Sequence, residues 1–383
     1  MTTNRIRLDE IVFFKAFCIL AVLAVHSTSQ VVMTLPPDSG MYMIYHWMNR
    51  FFKFGTPLFL FISAFTYFHA YARDVQKPFN WKIFMKSRIN FVLIPFVIFS
   101  LLYYLVKRIV FPVDLSWSEQ ILTFFEQLVT GKTYTHLYYI LVVMQFYVLF
   151  AWMIRPIRER KTWLKWMFPV TLGVHISFLI INHELQWIEQ KGSLFISYLS
   201  FFTLGGWVGT FYSTILEWYN QLKNKHKIIG YTTLGFFTAV GYATFTIMWS
   251  RQYAMYYKQL SLWIELSSLL YFLPMSILVF VFSRWVSKKT GRFIQFIRQI
   301  GEVSFGIYLI HPFVLMGYRA LPISHGSRFI YMVWVGGGYV AALAISLGII
   351  LLLRNVLMDH ASFTIGMAPP KPVNIDKNGD RVA

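Results

Sequence analysis

Polar and apolar positions along this chain alternate on the scale of a membrane rather than of a strand or a heptad. Apolar runs of roughly twenty residues, the length needed to cross a ~30 Å hydrocarbon core, recur about ten times. The pattern predicts helices over 11–33, 52–71, 90–111, 136–154, 164–182, 194–213, 228–249, 262–283, 301–320 and 329–353. The fold class that follows is all-α, a polytopic membrane helix bundle. With the first run leaving from inside, the inner segments hold about 24 Lys and Arg and the outer ones about 10, so the positive-inside rule predicts cytoplasmic N and C termini. The inner cations cluster from Arg73 to Arg88, in RPIRERKTWLK, in KNKHK and in SRWVSKKTGR, where they read as topology determinants facing anionic lipid. The outer loops are short except 112–135, where SWSEQILTFFEQLVTG has helical periodicity; it is expected along the outer surface, placed to cover a site.

Composition narrows the class. Hydrophobic residues make up 57% of the 383 and charged residues 13%, about half the ~25% usual in soluble domains. The net charge of +19 would point to nucleic acid in a soluble chain, but here it sits in short loops beside apolar runs, so no nucleic-acid partner is expected. The single cysteine, Cys18, lies inside the first run, which rules out a disulfide framework, a CxxC site and a thiolate metal cluster. That run is also too long for a signal-peptide core and is expected to be retained. A GxSxG elbow, a P-loop, HExxH and a dinucleotide fingerprint are all missing, so soluble-hydrolase, kinase and zinc-protease chemistry lose support; no metal and no tightly bound cofactor are predicted. Any chemistry must sit in or beside the membrane.

The first helix carries the sharpest signal. Lys15 and His26 are separated by eleven steps of ~100°, about 20° beyond three turns, so they leave one face roughly 16 Å apart along the axis. Ionisable groups in hydrocarbon cost at least ~2.5 kcal/mol each and normally face a bundle interior or wet cavity. A transmembrane histidine also serves as a polar tie, and a lysine near the boundary can snorkel. At the third helix Arg88 precedes Pro95 by nearly two turns; a guanidinium at the inner boundary suits either a phosphate or a positive-inside anchor. His136 opens the fourth run among aromatics, where it either belongs to an interfacial belt or faces the cavity of His26. In the ninth run Ser304, Tyr308 and His311 fall on one stripe, with Pro312 opening the backbone beside His311. Glu302, one of few acids in the apolar runs, is expected near the cytoplasmic side, either paired with Lys15 or Arg88 or in a catalytic role.

These residues resemble the membrane acyltransferase 3 family, multi-pass enzymes that acylate sugars and other acceptors at the cell envelope. The resemblance spans nearly the whole chain, through LDEIVFFKAFCILAVLAVH, GTPLFLFISAF, KSRINFVLIPF, HLYYI, FFTLGGWVG and IGEVSFGIYLIHP in order. It departs at Lys15, where the family typically has arginine, and at Met85, where a second arginine would precede Arg88, with Lys86 nearby. The resemblance implies a transmembrane acyltransferase domain over 1–354 in a bacterial plasma membrane, and the Pro, Gly and charge content after Leu353 predicts a disordered cytoplasmic tail over 355–383. It implies transfer of an acyl group, acetyl above all, from cytoplasmic acyl-CoA to a hydroxyl of an envelope glycan or lipid-linked sugar. Lys15, Lys86 and Arg88 would bind the donor and His26 would be the general base. His136 and His311 would assist as acceptor-positioning or oxyanion groups, and Glu302, Ser304 and Tyr308 would contact substrate. An exporter of polysaccharide or lipid-linked sugar through the same cavity is the alternative.

Overall fold

The computed structural model describes residues 8–72, 79–255, 260–321, 328–357 and 364–366, and the regular structure in them is helical. In chain order the helices are α1 (Asp9–Thr34), α2 (Gly40–Phe52), α3 (Gly55–Tyr71), α4 (Trp81–Arg88), α5 (Ile94–Val110), α6 (Trp117–Thr130), α7 (Tyr138–Glu159) and α8 (Lys161–Leu185). They continue as α9 (Leu199–Thr210), α10 (Tyr212–Gln221), α11 (Asn224–Met255), α12 (Leu260–Ser287), α13 (Arg292–Glu302), α14 (Ser304–Arg319) and α15 (Arg328–Leu357). Among the described residues eight spans are long and apolar enough to cross a membrane, or nine if the bent pair α13–α14 is one span.

The helix with the sharpest sequence signal also has many neighbours. α1 packs against α2, α3, α12, α13, α14 and α15. Asp9 and Glu10 occupy its first turn, where the helix dipole favours acids. Both are tied down there: Arg298 of α13 meets the Asp9 carboxylate at 2.6 Å, and the Tyr212 hydroxyl donates to Glu10. These contacts fix the Asp9 end of the bundle.

Three predicted spans are redrawn. The second run extends backward into α2, whose Ser39 cap accepts the Tyr42 amide at 3.1 Å. α2 buries Tyr42, Tyr45, His46, Asn49 and Arg50 while Met43, Ile44 and Met48 are exposed. In a soluble protein such a pattern would be inside out; against lipid it is the expected one. The run 194–213 is divided into a 3-10 turn at Phe195–Tyr198, then α9 and α10. α9 has twelve residues, and all except Trp207 are buried. It is short and thin because Gly205 and Gly209 lie directly on the carbonyl oxygens of Phe61 and Phe65 in α3, an approach that a Cβ would block. The run 301–320 is bent by 81° at Val303, so α13 lies across the Asp9 end while α14 enters the bundle.

The proline-bearing third run behaves as its chemistry requires. α4 passes into a π-helical turn, Ile89–Leu93, immediately before α5, and Pro95 sits in the first turn of α5 where its missing N–H is harmless. At the other terminus α15 runs to Leu357, past the expected boundary at residue 354. Ile365 is fully buried and its carbonyl approaches Gly306, so this part of the expected tail contributes to the bundle. The rest of the predicted tail, 358–363 and 367–383, and residues 73–78 of the first cationic cluster lie outside the described residues.

The cavity and three histidines at one end of the bundle

Three imidazoles from distant parts of the chain converge. The His26 and His311 ring centroids are 5.0 Å apart, His136 and His311 5.7 Å, and His26 and His136 6.4 Å, all at steep interplanar angles. His26 comes from α1 and His311 from α14, while His136 precedes α7 in a turn set by Gly131, whose φ of 69° is left-handed and ends α6. His136 and His311 are 3% and 0% exposed, and His26 is half-buried. The sequence stripe and the outer-entry histidine therefore meet in one cluster.

Hydrogen bonding distinguishes the rings. His311 Nδ1 lies 3.0 Å from the Ile307 carbonyl, which can only accept, so Nδ1 carries the proton and neutral His311 presents a bare Nε2. That Nε2 and both nitrogens of His136 are buried without a partner among the described residues. Leaving a buried polar atom unpaired costs ~1–3 kcal/mol, so three in one cluster mark a place built for something other than stability. The rings meet edge to face, and among the described residues no group of three His, Cys, Asp or Glu is arranged to hold a metal ion.

Tyr308 and Tyr103 frame the cluster. The Tyr308 hydroxyl donates to the His136 carbonyl and so holds that residue in place, with its oxygen still able to accept. Tyr103 donates to the Leu309 carbonyl at 2.8 Å and is stacked between Phe313 and Tyr134, at 3.7 and 4.4 Å. Ser304 is buried on the same stripe two turns away, ~10 Å along the axis from His311.

Two cations reach His26 that sequence reasoning did not single out. Arg319, at the end of α14, donates to the His26 carbonyl at 2.5 Å, and Lys53, between α2 and α3, also acts on the ring electrostatically. Their only sequence signal is position: both fall on the side where the positive-inside rule leaves few cations. Arg319 also borders a cavity of about 810 Å3 formed where the ends of α5 and α14 meet the chain before α7 and after α8.

The opposite end is less unified than expected. Arg88 donates to the Tyr67 hydroxyl at 2.9 Å and sits over the rings of Tyr67, Phe84 and Tyr147 at 4.9, 5.1 and 5.5 Å; its Nε is buried without an acceptor among the described residues. Lys86, two residues away and so ~200° round the helix, is exposed on another face and does not join it. Glu302 is exposed at the α13–α14 bend rather than enclosed, because the helix breaks there. Lys15 is half-buried. Between Lys15 and His26 the same stripe of α1 carries Cys18, Ile19 and Val22, which are 0, 0 and 4% exposed.

The family model of an acyltransferase domain, that of acyltransferase 3, matches residues 8–351, from the first turn of α1 nearly to the end of α15. The chain belongs to this family. The acyltransferase is also similar to probable poly-beta-1,6-N-acetyl-D-glucosamine export proteins. The one from Staphylococcus aureus strain MRSA252 is 22% identical over 377 residues, covering 96% of this chain and 98% of the relative. The one from Staphylococcus epidermidis is 24% identical over 385 residues, covering 94% and 95%. No solved structure matches the acyltransferase.

Proposed function

We propose that this acyltransferase moves an acyl group, acetyl above all, from a cytoplasmic acyl-CoA to a hydroxyl of an envelope carbohydrate, and that it does so at the three histidines. The observation that carries the reading is the convergence of His26, His136 and His311, with unpartnered ring nitrogens on His136 and His311, beside a cavity that Arg319 borders. The excess of Lys and Arg on the Asp9 side supports a cytoplasmic location for that end and for both termini in a bacterial cell, with the cavity facing outward. His26 acts as general base: it takes the proton of the acceptor hydroxyl as the oxygen attacks the thioester carbonyl. The C–S bond then breaks, and the proton passes to the departing thiolate. The bare Nε2 of His311, in the ring nearest His26, is the station for that proton, while Arg319 and Lys53 place positive charge where the tetrahedral oxyanion forms. His136, held by Tyr308, positions the acceptor.

Arg88 in its aromatic cage is the strongest candidate for the donor phosphates, since a planar fork with a free Nε matches a phosphate oxygen. Lys15 lies on the route from there to His26. Cys18, Ile19 and Val22 are packed on that stripe, so the pantetheine arm must part them, and transfer is coupled to loosening of the bundle around α1.

The test is incorporation of labelled acetyl from acetyl-CoA into envelope glycan by the purified protein in vesicles. Wild-type transfer with loss in His26→Ala supports the reading; an unchanged rate in His26→Ala removes it. The names of the staphylococcal relatives favour a second reading, export of a polysaccharide through the same cavity. Cells lacking the gene separate the two: loss of an ester mass from glycan that still reaches the surface supports transfer, and glycan retained inside supports export.

A further inference from the structure

The cavity beside the histidines has a chemical character that acyl transfer alone does not require. Its volume is about 810 Å3, room for a few sugar rings, and its wall includes Lys107, Lys132 and Arg319. Among the described residues no aspartate or glutamate lines it. Three like charges around one opening repel each other, and the two lysines are exposed and have no carboxylate partner among the described residues. They come from different stretches of chain: Lys107 from the last turn of α5, Lys132 from the turn after α6, and Arg319 from the last turn of α14. Only the fold gathers them. The positive-inside rule leaves this side poor in cations, so three at one mouth are not topology determinants. Tyr134 and Tyr138 line the same wall and offer ring faces and hydroxyls of the kind that hold sugars. Arg319 links the wall to the reacting centre through its bond to the His26 carbonyl.

We propose that the acceptor is an anionic saccharide, its phosphate or carboxylate bound by Lys107, Lys132 and Arg319 while a hydroxyl reaches His26. This rests on reading the cavity as the acceptor's side of the transfer reaction. The negative charge belongs either to the glycan itself or to a diphosphate joining it to a lipid carrier. Opposite charge at the mouth also concentrates such an acceptor, so binding weakens as salt rises.

The experiment measures equilibrium binding and acyl transfer separately, with the full-length protein in neutral-lipid vesicles and three probes: a neutral N-acetylhexosamine oligosaccharide, a uronate-containing oligosaccharide of equal length, and the neutral oligosaccharide on a polyprenyl diphosphate. At least one charged probe is expected to bind about tenfold tighter than the neutral one, with the advantage shrinking in high salt; which one does so identifies the source of the charge. Lys107→Gln and Lys132→Gln are expected to weaken its binding about three- to fivefold each and roughly tenfold together, leaving the neutral probe unaffected. Both lysines are exposed, so the variants keep the fold, checked by their unfolding midpoint. Equal binding of neutral and charged probes, or insensitivity to both lysines, overturns the proposal even if acyl transfer proceeds. Selective anionic binding without transfer instead keeps the anion site and removes the acyltransferase reading of the cavity.

Discussion

His26 and His311 stand with their ring centroids 5.0 Å apart and their planes at 60°, one from the first helix of the chain and the other from α14. No hydrogen bond joins the two rings, so a proton passing between them needs a bridging substrate atom or a small ring shift, and the Ile307 carbonyl fixes which nitrogen of His311 receives it. In the proposed reaction, removing either imidazole breaks the same relay.

His26→Ala and His311→Ala are each expected to lower turnover by about 10²- to 10⁴-fold, the range for a lost acid–base group. Because they act as a unit, the double variant should be no more than a few-fold worse than the poorer single one. Single-turnover acyl transfer measures this. Fully multiplicative losses mean that the rings act independently.

Tyr308→Phe removes the donor to the His136 carbonyl while keeping the ring. That carbonyl keeps the Tyr139 amide at 3.2 Å, so the lost bond should cost about 0.5–1.5 kcal/mol of stability. The positioning role adds a second signature, a fall in kcat with KM for the donor unchanged. A variant that melts earlier yet turns over normally shows that the tyrosine is structural only.

Gly205→Ala and Gly209→Ala put a methyl group onto the Phe61 and Phe65 carbonyls. Neither oxygen can retreat without bending α3, so each change is expected to destabilise by on the order of 3 kcal/mol. Gly230→Ala, where an added Cβ meets nothing within 4 Å, is the control and should be neutral or slightly stabilising. Unfolding midpoints in detergent compare them; equal midpoints rule out backbone contact between α9 and α3.

Acid should loosen the first turn of α6. Ser116 and Glu119 close a capping box there, with the Ser116 hydroxyl and amide donating to the carboxylate at 2.7 and 2.8 Å. The hydroxyl first, and then the amide, hold this carboxyl below its ordinary value of 4.5. A depressed folded value stabilises above the unfolded one and is lost as pH falls through it, so protection should fade only below that value. Hydrogen exchange at residues 117–121 reads this out, and Glu119→Gln should show no such pH dependence. Equal pH profiles for the two proteins discard the cap.

Much of this protein follows from local chemistry alone. Twenty-residue apolar runs need no partner to declare themselves, because the bilayer supplies the environment that a fold would otherwise have to create. The same is true of the Lys15–His26 stripe, which the α-helical period fixes, and of the 117–130 helix, which Ser116, Glu119 and Gly131 begin and end. The inverted polarity of α2 and the short, buried α9 were hidden because their meaning depends on what lies opposite: His46 and Asn49 look like loop residues until Ser250 and Thr28 meet them at 3.0 and 2.9 Å.

The tertiary structure alone decided the site. Sequence spacing nominated three histidines, but only the packing of α1 and α14 with the turn before α7 brought their rings together, and only Ile307 chose the tautomer of His311. It separated Lys86 from Arg88, left Glu302 exposed at a bend, and drew Arg319, Lys107 and Lys132 to one opening. A helix period relates residues a few turns apart on one element, whereas chemistry between elements depends on which faces the whole bundle buries together.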